Sequence, residues 1–131
     1  MERLNLQANG RYSCFREAQV HNVKRPDLVV SSAAMDSQVA IELKHSDKGW
    51  TYDDLCKAIE HQLVRRYLLP ENRRSGLLVV SRHNKKFWRH PSDGRRMSFL
   101  DLICELKRHA KKVQDDHPNT IRIDVVGIDC V

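Results

Sequence analysis

The sharpest pattern along the chain is Val39-Ala40-Ile41-Glu42-Leu43-Lys44, where alternation puts Val39, Ile41 and Leu43 on one side of a strand and Ala40, Glu42 and Lys44 on the other. Two charges therefore share one face of a strand that its surroundings make central. Upstream, residues 11 to 20 alternate loosely around Tyr12, Phe15 and Val20, which predicts a first strand turning at His21-Asn22-Val23-Lys24. Leu28-Val29-Val30 then starts a second strand just after Pro26, where the missing N–H falls outside the ladder. Residues 31 to 37 read as the turn that leads into the third strand.

Downstream the period changes. Thr51 is a natural N-cap before Asp53 and Asp54, and Leu55, Ile59, Leu63 and Tyr67 repeat at helical spacing until Pro70 stops the helix. Gln62 lies at the edge of that apolar stripe. Gly76-Leu77-Leu78-Val79-Val80 is a continuous apolar run, which predicts a strand covered by helices on both faces. Ser98 opens a second amphipathic helix facing inward through Phe99, Leu102, Ile103, Leu106 and Ala110, and residues 121 to 128 form a last strand. The order β-β-β-α-β-α-β predicts an α/β fold: a mixed sheet flanked by helices, antiparallel at first and joined by helical crossovers later. No internal repeat or low-complexity linker interrupts it.

At 131 residues the chain fits one domain, residues 1 to 131. No run approaches the roughly 20 apolar residues that cross a bilayer, and Met1-Glu2-Arg3-Leu4-Asn5-Leu6-Gln7 lacks the form of a secretion signal, so a cytoplasmic protein with no membrane partner is expected. Cys14, Cys56, Cys104 and Cys130 show no ligand spacing and read as reduced structural thiols.

The net charge of +6 changes the picture, because it is concentrated. Residues 57 to 96 carry eleven Lys or Arg against three acidic side chains. Such a cluster attracts phosphates and releases their counterions, so nucleic acid is the expected partner; Arg65, Arg66, Arg73 and Arg74 are the candidate phosphate contacts. A solvated basic surface without a ligand is the competing explanation.

Cleaving a phosphodiester near neutral pH needs an activated water and charge neutralisation at phosphorus. A hard divalent cation supplies much of both, and it is held by one or two carboxylates with water and substrate oxygens. An Asp and a Glu from neighbouring strands make such a site, and a Lys beside them can orient or deprotonate the attacking water. Asp27 opens one strand; Glu42 and Lys44 share a face of the next.

Arg25-Pro26-Asp27 followed, after a short hairpin, by Glu42-Leu43-Lys44 with its apolar lead-in Val39-Ala40-Ile41 resembles the PD-(D/E)xK phosphodiesterase superfamily, which includes restriction enzymes and junction resolvases. The pattern from residue 12 to residue 130 is also similar to nuclease domains of bacterial defence proteins. The resemblance implies a restriction-endonuclease-like mixed sheet flanked by helices and a hydrolase: an endonuclease dependent on Mg²⁺ or Mn²⁺, with DNA favoured as substrate. It implies Asp27, Glu42, Lys44 and Gln62 as catalytic residues, with Asp27 and Glu42 as metal ligands. Members often place a further Glu on a helix before the first strand; here that helix is expected to be short or absent, and Glu17, on the first strand, is the nearest candidate for a third metal carboxylate. A fragment of a larger effector is therefore an expectation, as is a possible homodimer.

Each of these residues has a plainer reading. Glu42 and Lys44 could be an ion pair on a strand facing water, Glu17 a strand-surface acid, and Gln62 a partly buried amide satisfied by backbone. His45 alternates away from Lys44 and reads as structural, and His61 as a flanking surface residue. Phe87-Trp88-Arg89 could stack on a base, although an aromatic pair after a strand is more often core. Two other functions compete with a DNA endonuclease: a nucleic-acid-binding module without chemistry, and a toxin-like RNase or tRNase on the same fold.

Overall fold

The structure, a computed structural model, describes residues 12–15, 27–32, 34, 37–68 and 73–131. Strands β1 (Tyr12–Phe15), β2 (Leu28–Ser32) and β3 (Gln38–His45) precede helix α1 (Tyr52–Lys57), which continues as a wider π-wound stretch over Ala58–Tyr67. Strand β4 (Ser75–Arg82), a hairpin of β5 (Trp88–Arg89) and β6 (Arg96–Met97), helix α2 (Phe99–Asp116) and strand β7 (Arg122–Asp129) complete the order. The expected succession of strands and helices is present, and the small β5–β6 hairpin is an addition to it.

The main sheet has the order β1-β2-β3-β4-β7. The first three strands pair antiparallel, while β3–β4 and β4–β7 pair parallel. The fold is thus a mixed α/β sheet in which β3 is central, with β2 on one side and β4 on the other. The hairpin joining β2 to β3 is tighter than the expected turn: β2 runs through Ser32, whose N–H donates to Ser37 O at 3.0 Å.

Helix α1 starts where a cap allows it. The Thr51 hydroxyl accepts from Asp54 N–H at 3.1 Å and the Asp54 carboxylate accepts from Thr51 N–H at 3.0 Å, so two donors at the helix start are satisfied reciprocally. Leu55, Ile59 and Leu63 are buried as their spacing predicts. Beyond Lys57 the helix widens, and Leu68 N–H donates to Leu63 O five residues back at 2.9 Å. Helix α2 repeats the capping box with Ser98 and Asp101 and buries all five of its expected inward residues.

The expectation that helices cover both faces of β4 is corrected. Gly76, Leu78 and Val80 are buried, but Leu77 and Val79 between them are only half-buried. A Cβ on Gly76 would meet Leu63 and Leu68, and one on Gly127, the partner of Val80, would meet Ile103 and Phe99. Both helical segments therefore lie on one face of the sheet. The reason is topological: β3, β4 and β7 are added in one direction, and right-handed crossovers then put every connecting helix on the same side. Among the described residues no helix packs on the other face, where Leu43, Val126 and Ile128 are 45%, 39% and 47% exposed.

Candidate active site

Antiparallel pairing of β2 with β3 ends at Leu28 opposite Ile41, so one step further the same register brings Asp27 opposite Glu42. The Asp27 side chain continues the ladder: its Oδ2 accepts from Leu43 N–H at 2.9 Å, tying the start of β2 to the middle of β3. Glu42 and Lys44 share the face that Ala40 presents to the helices. Glu42 is 5% exposed, and Lys44 Nζ stands 3.3 Å from its Oε1, with the Lys44 side chain 10% exposed. Burial on this scale rules out a surface pair facing water. Two charges taken out of water need each other, and here each is the other's counter-ion.

The Lys44 ammonium is held from a second side, 4.3 Å from the centre of the Trp50 ring. A 3₁₀ turn, Ser46–Lys48, follows β3, and Gly49 at φ 78° reverses the chain so that Trp50 returns beneath Lys44. Two bonds from the segment after β4 fix this turn: Trp88 Nε1 donates to Trp50 O at 3.0 Å, and Lys86 Nζ donates to Ser46 O at 3.1 Å. Sequence reading did not assign Trp50 a role. Its only signal was an aromatic following Gly49 shortly after the charged strand.

The remaining expected residues are distributed unevenly. Gln62 is half-buried on the π-wound stretch, which packs against β3 and β4. Glu17 and Pro26 lie outside the described residues, as does the side chain of Arg66. Arg65 is exposed, with Nη1 3.0 Å from His61 Nδ1. Arg73 and Arg74 are half-buried and engaged internally: Arg73 gives Nε and Nη2 to Gln38 Oε1 at 3.1 and 2.9 Å, and Arg74 Nη1 donates to Leu68 O at 3.2 Å. His45 is exposed and stacks on His83 with ring centres 4.3 Å apart. Of the aromatic pair after β4, Trp88 is buried and Phe87 is 50% exposed.

Cys56, Cys104 and Cys130 are free thiols. Burial pushes the Cys56 thiol up to about 11, against a partial opposing effect from its hydrogen bond with Tyr52. It is a packing residue.

Among the described residues no group of three or more His, Cys, Asp or Glu side chains is placed to hold a metal ion. A hard divalent cation asks for only one or two protein carboxylates and takes its other ligands from water and substrate, so Asp27 and Glu42 are the residues that would hold one. The Leu43 amide occupies one oxygen of Asp27, and Lys44 stands against one oxygen of Glu42. Comparison with protein-family models, curated proteins and solved structures finds no match to this chain.

Proposed function

We propose that this chain is a divalent-metal-dependent endonuclease with a restriction-endonuclease-like core, hydrolysing nucleic-acid phosphodiester bonds with DNA as the favoured substrate. The observation that carries the reading is the buried Glu42–Lys44 pair on central strand β3, with Asp27 tied across to the same strand. A lone surface pair would need no such burial. The antiparallel β1-β2-β3 followed by parallel β4 is compatible with that core, and the basic segment from residue 57 to residue 96 supports an anionic ligand.

In this reading Asp27 and Glu42 hold Mg²⁺ or Mn²⁺, with Glu17 as a further carboxylate. The ion, when bound, neutralises charge on the scissile phosphate and acidifies water. Lys44 orients the attacking water and stabilises negative charge that develops only in the transition state; Trp50 and Glu42 fix its ammonium for that task. Gln62 is assigned to the same chemistry from the helical stretch that packs against β3 and β4, and Arg65 and Arg66 bind backbone phosphate. The protein acts in the cytoplasm, where a role in defence suits its class.

One observation favours a second reading, a nucleic-acid-binding module without chemistry: Lys44 already balances the charge of Glu42, so the pair needs no ion. Incubating the purified chain with supercoiled DNA, single-stranded DNA and total RNA in Mg²⁺, Mn²⁺ or EDTA separates the two. Cleavage that EDTA abolishes, and that Lys44→Ala slows by about a hundredfold or more in single turnovers, is the expected result. Absence of cleavage on every substrate, or an unchanged rate in Lys44→Ala, sinks the nuclease reading.

A further inference from the structure

We infer that the outward face of the β5–β6 hairpin is a stacking platform for an unpaired nucleotide base, with Phe87 as the stacking surface, so that the ligand is single-stranded or locally unpaired nucleic acid. The inference rests on the nucleic-acid reading above and adds to it the class of strand that is bound.

The hairpin sorts its side chains by alternation. Trp88 and Met97 are paired across β5 and β6 and both point into the core, at 3% and 1% exposure. Phe87, Arg89 and Arg96 alternate with them and are exposed. A phenylalanine half in water, on a segment whose other large apolar residues are buried, has apolar area to offer a ligand. Its environment is cationic: the Arg96 guanidinium lies 3.6 Å from the ring centre. Residues 83 to 97 contain Lys85, Lys86, Arg89, Arg95 and Arg96 against the single acid Asp93.

A half-exposed ring with one guanidinium lying over it, in a segment rich in further cations, matches one ligand chemistry better than others. A base has a flat π-face that stacks on a ring or a guanidinium, and its phosphates need nearby cations. A protein partner or lipid surface would call for a wider apolar area than one ring. In a duplex the bases are already stacked on each other, so only an unpaired one can use Phe87.

Both neighbours of Phe87 in the chain are tied to the turn that carries Trp50. Trp88, next to Phe87, donates its indole N–H to Trp50 O, and the Trp50 ring lies under Lys44. Lys86, on the other side of Phe87, reaches Ser46 O at the end of β3. The segment that carries Phe87 is thereby fastened to the turn that follows β3.

The test is binding in EDTA, which is independent of cleavage. The probes are a short DNA oligonucleotide, its RNA counterpart and a DNA of the same length whose central nucleotides are abasic, each titrated by fluorescence anisotropy. The wild-type chain should prefer either base-bearing strand to the abasic one by about tenfold. Phe87→Leu should bring that preference close to one, Phe87→Trp should keep it, and all three proteins should retain the same circular dichroism and the same salt dependence. A wild-type chain that does not distinguish abasic from base-bearing strands, a Phe87→Leu variant that keeps the preference, or a chain that binds no oligonucleotide overturns the platform. The nuclease reading fails on its own cleavage assay, so the two failures are distinguishable.

Discussion

Lys44 Nζ lies 3.3 Å from Glu42 Oε1 on the face of β3 turned toward the helices, where both side chains are almost entirely withdrawn from water. A pair in that position is costly to break from one side. Lys44→Met takes the ammonium away from a buried carboxylate and should lower stability by about 3 kcal/mol or more. Adding Glu42→Gln removes the remaining charge and should recover much of that loss. Urea unfolding of the two variants checks the coupling; equal stabilities would mean that the two charges do not depend on each other.

Metal affinity should follow the carboxylates and spare the cation. Asp27→Asn keeps a side-chain oxygen that can still accept from Leu43 N–H, so it should fold while weakening Mn²⁺ binding in calorimetry. Glu42→Gln should weaken binding of the ion too, but at a cost in stability, because it takes the counter-charge from buried Lys44. Lys44→Met, which removes no ligand, should bind the ion at least as well as the parent, and a parent chain that takes up no Mn²⁺ with substrate present would remove the proposed cation from the mechanism.

The cysteines should separate by burial. With its thiol pushed up to about 11 by burial, Cys56 holds less thiolate at pH 8 than an ordinary thiol does, and it is also shielded. Cys104 and Cys130 are exposed. Alkylation followed by peptide mass spectrometry should label those two quickly in the native protein and Cys56 only after unfolding. Rapid native labelling of Cys56 would contradict its place in the core.

Gly127 marks a close approach of helix α2 to the sheet. A Cβ there would stand 2.6 Å from Ile103 Cγ1, so Gly127→Ala must shift the Ile103 side chain or the helix that carries it and should cost about 1 to 3 kcal/mol. Pairing it with Ile103→Val, which gives back some volume, should soften the effect. If thermal unfolding shows Gly127→Ala as stable as the parent, α2 is not seated as described.

Much of the fold was legible because period carries it. Alternation at residues 39 to 44 placed Glu42 and Lys44 together, helical spacing gave Leu55, Ile59 and Leu63, and Thr51 and Ser98 announced their helices. The one-sided arrangement of the helices was not legible, because a continuous apolar run such as residues 76 to 80 looks the same whether one face or two are covered. The β5–β6 hairpin escaped because two-residue strands carry no period. Charge counting named Arg73 and Arg74 as phosphate ligands but could not show that Gln38 and the Leu68 carbonyl already engage them. Trp50 was missed for the same reason: its place under Lys44 depends on a reversal at Gly49 and on bonds from a segment some forty residues later.

Because Glu42 and Lys44 sit on the covered side of the sheet, their environment is made by docking rather than by the strand itself. In an isolated β2–β3 hairpin both would be hydrated and nearly independent. Only when the segment from Trp50 onward closes over β3 do they enter a medium where each governs the other's charge. The pair is thus assembled by the same cooperative event that buries Leu55 and Ile59, and it should dissolve in the same transition instead of fraying ahead of it.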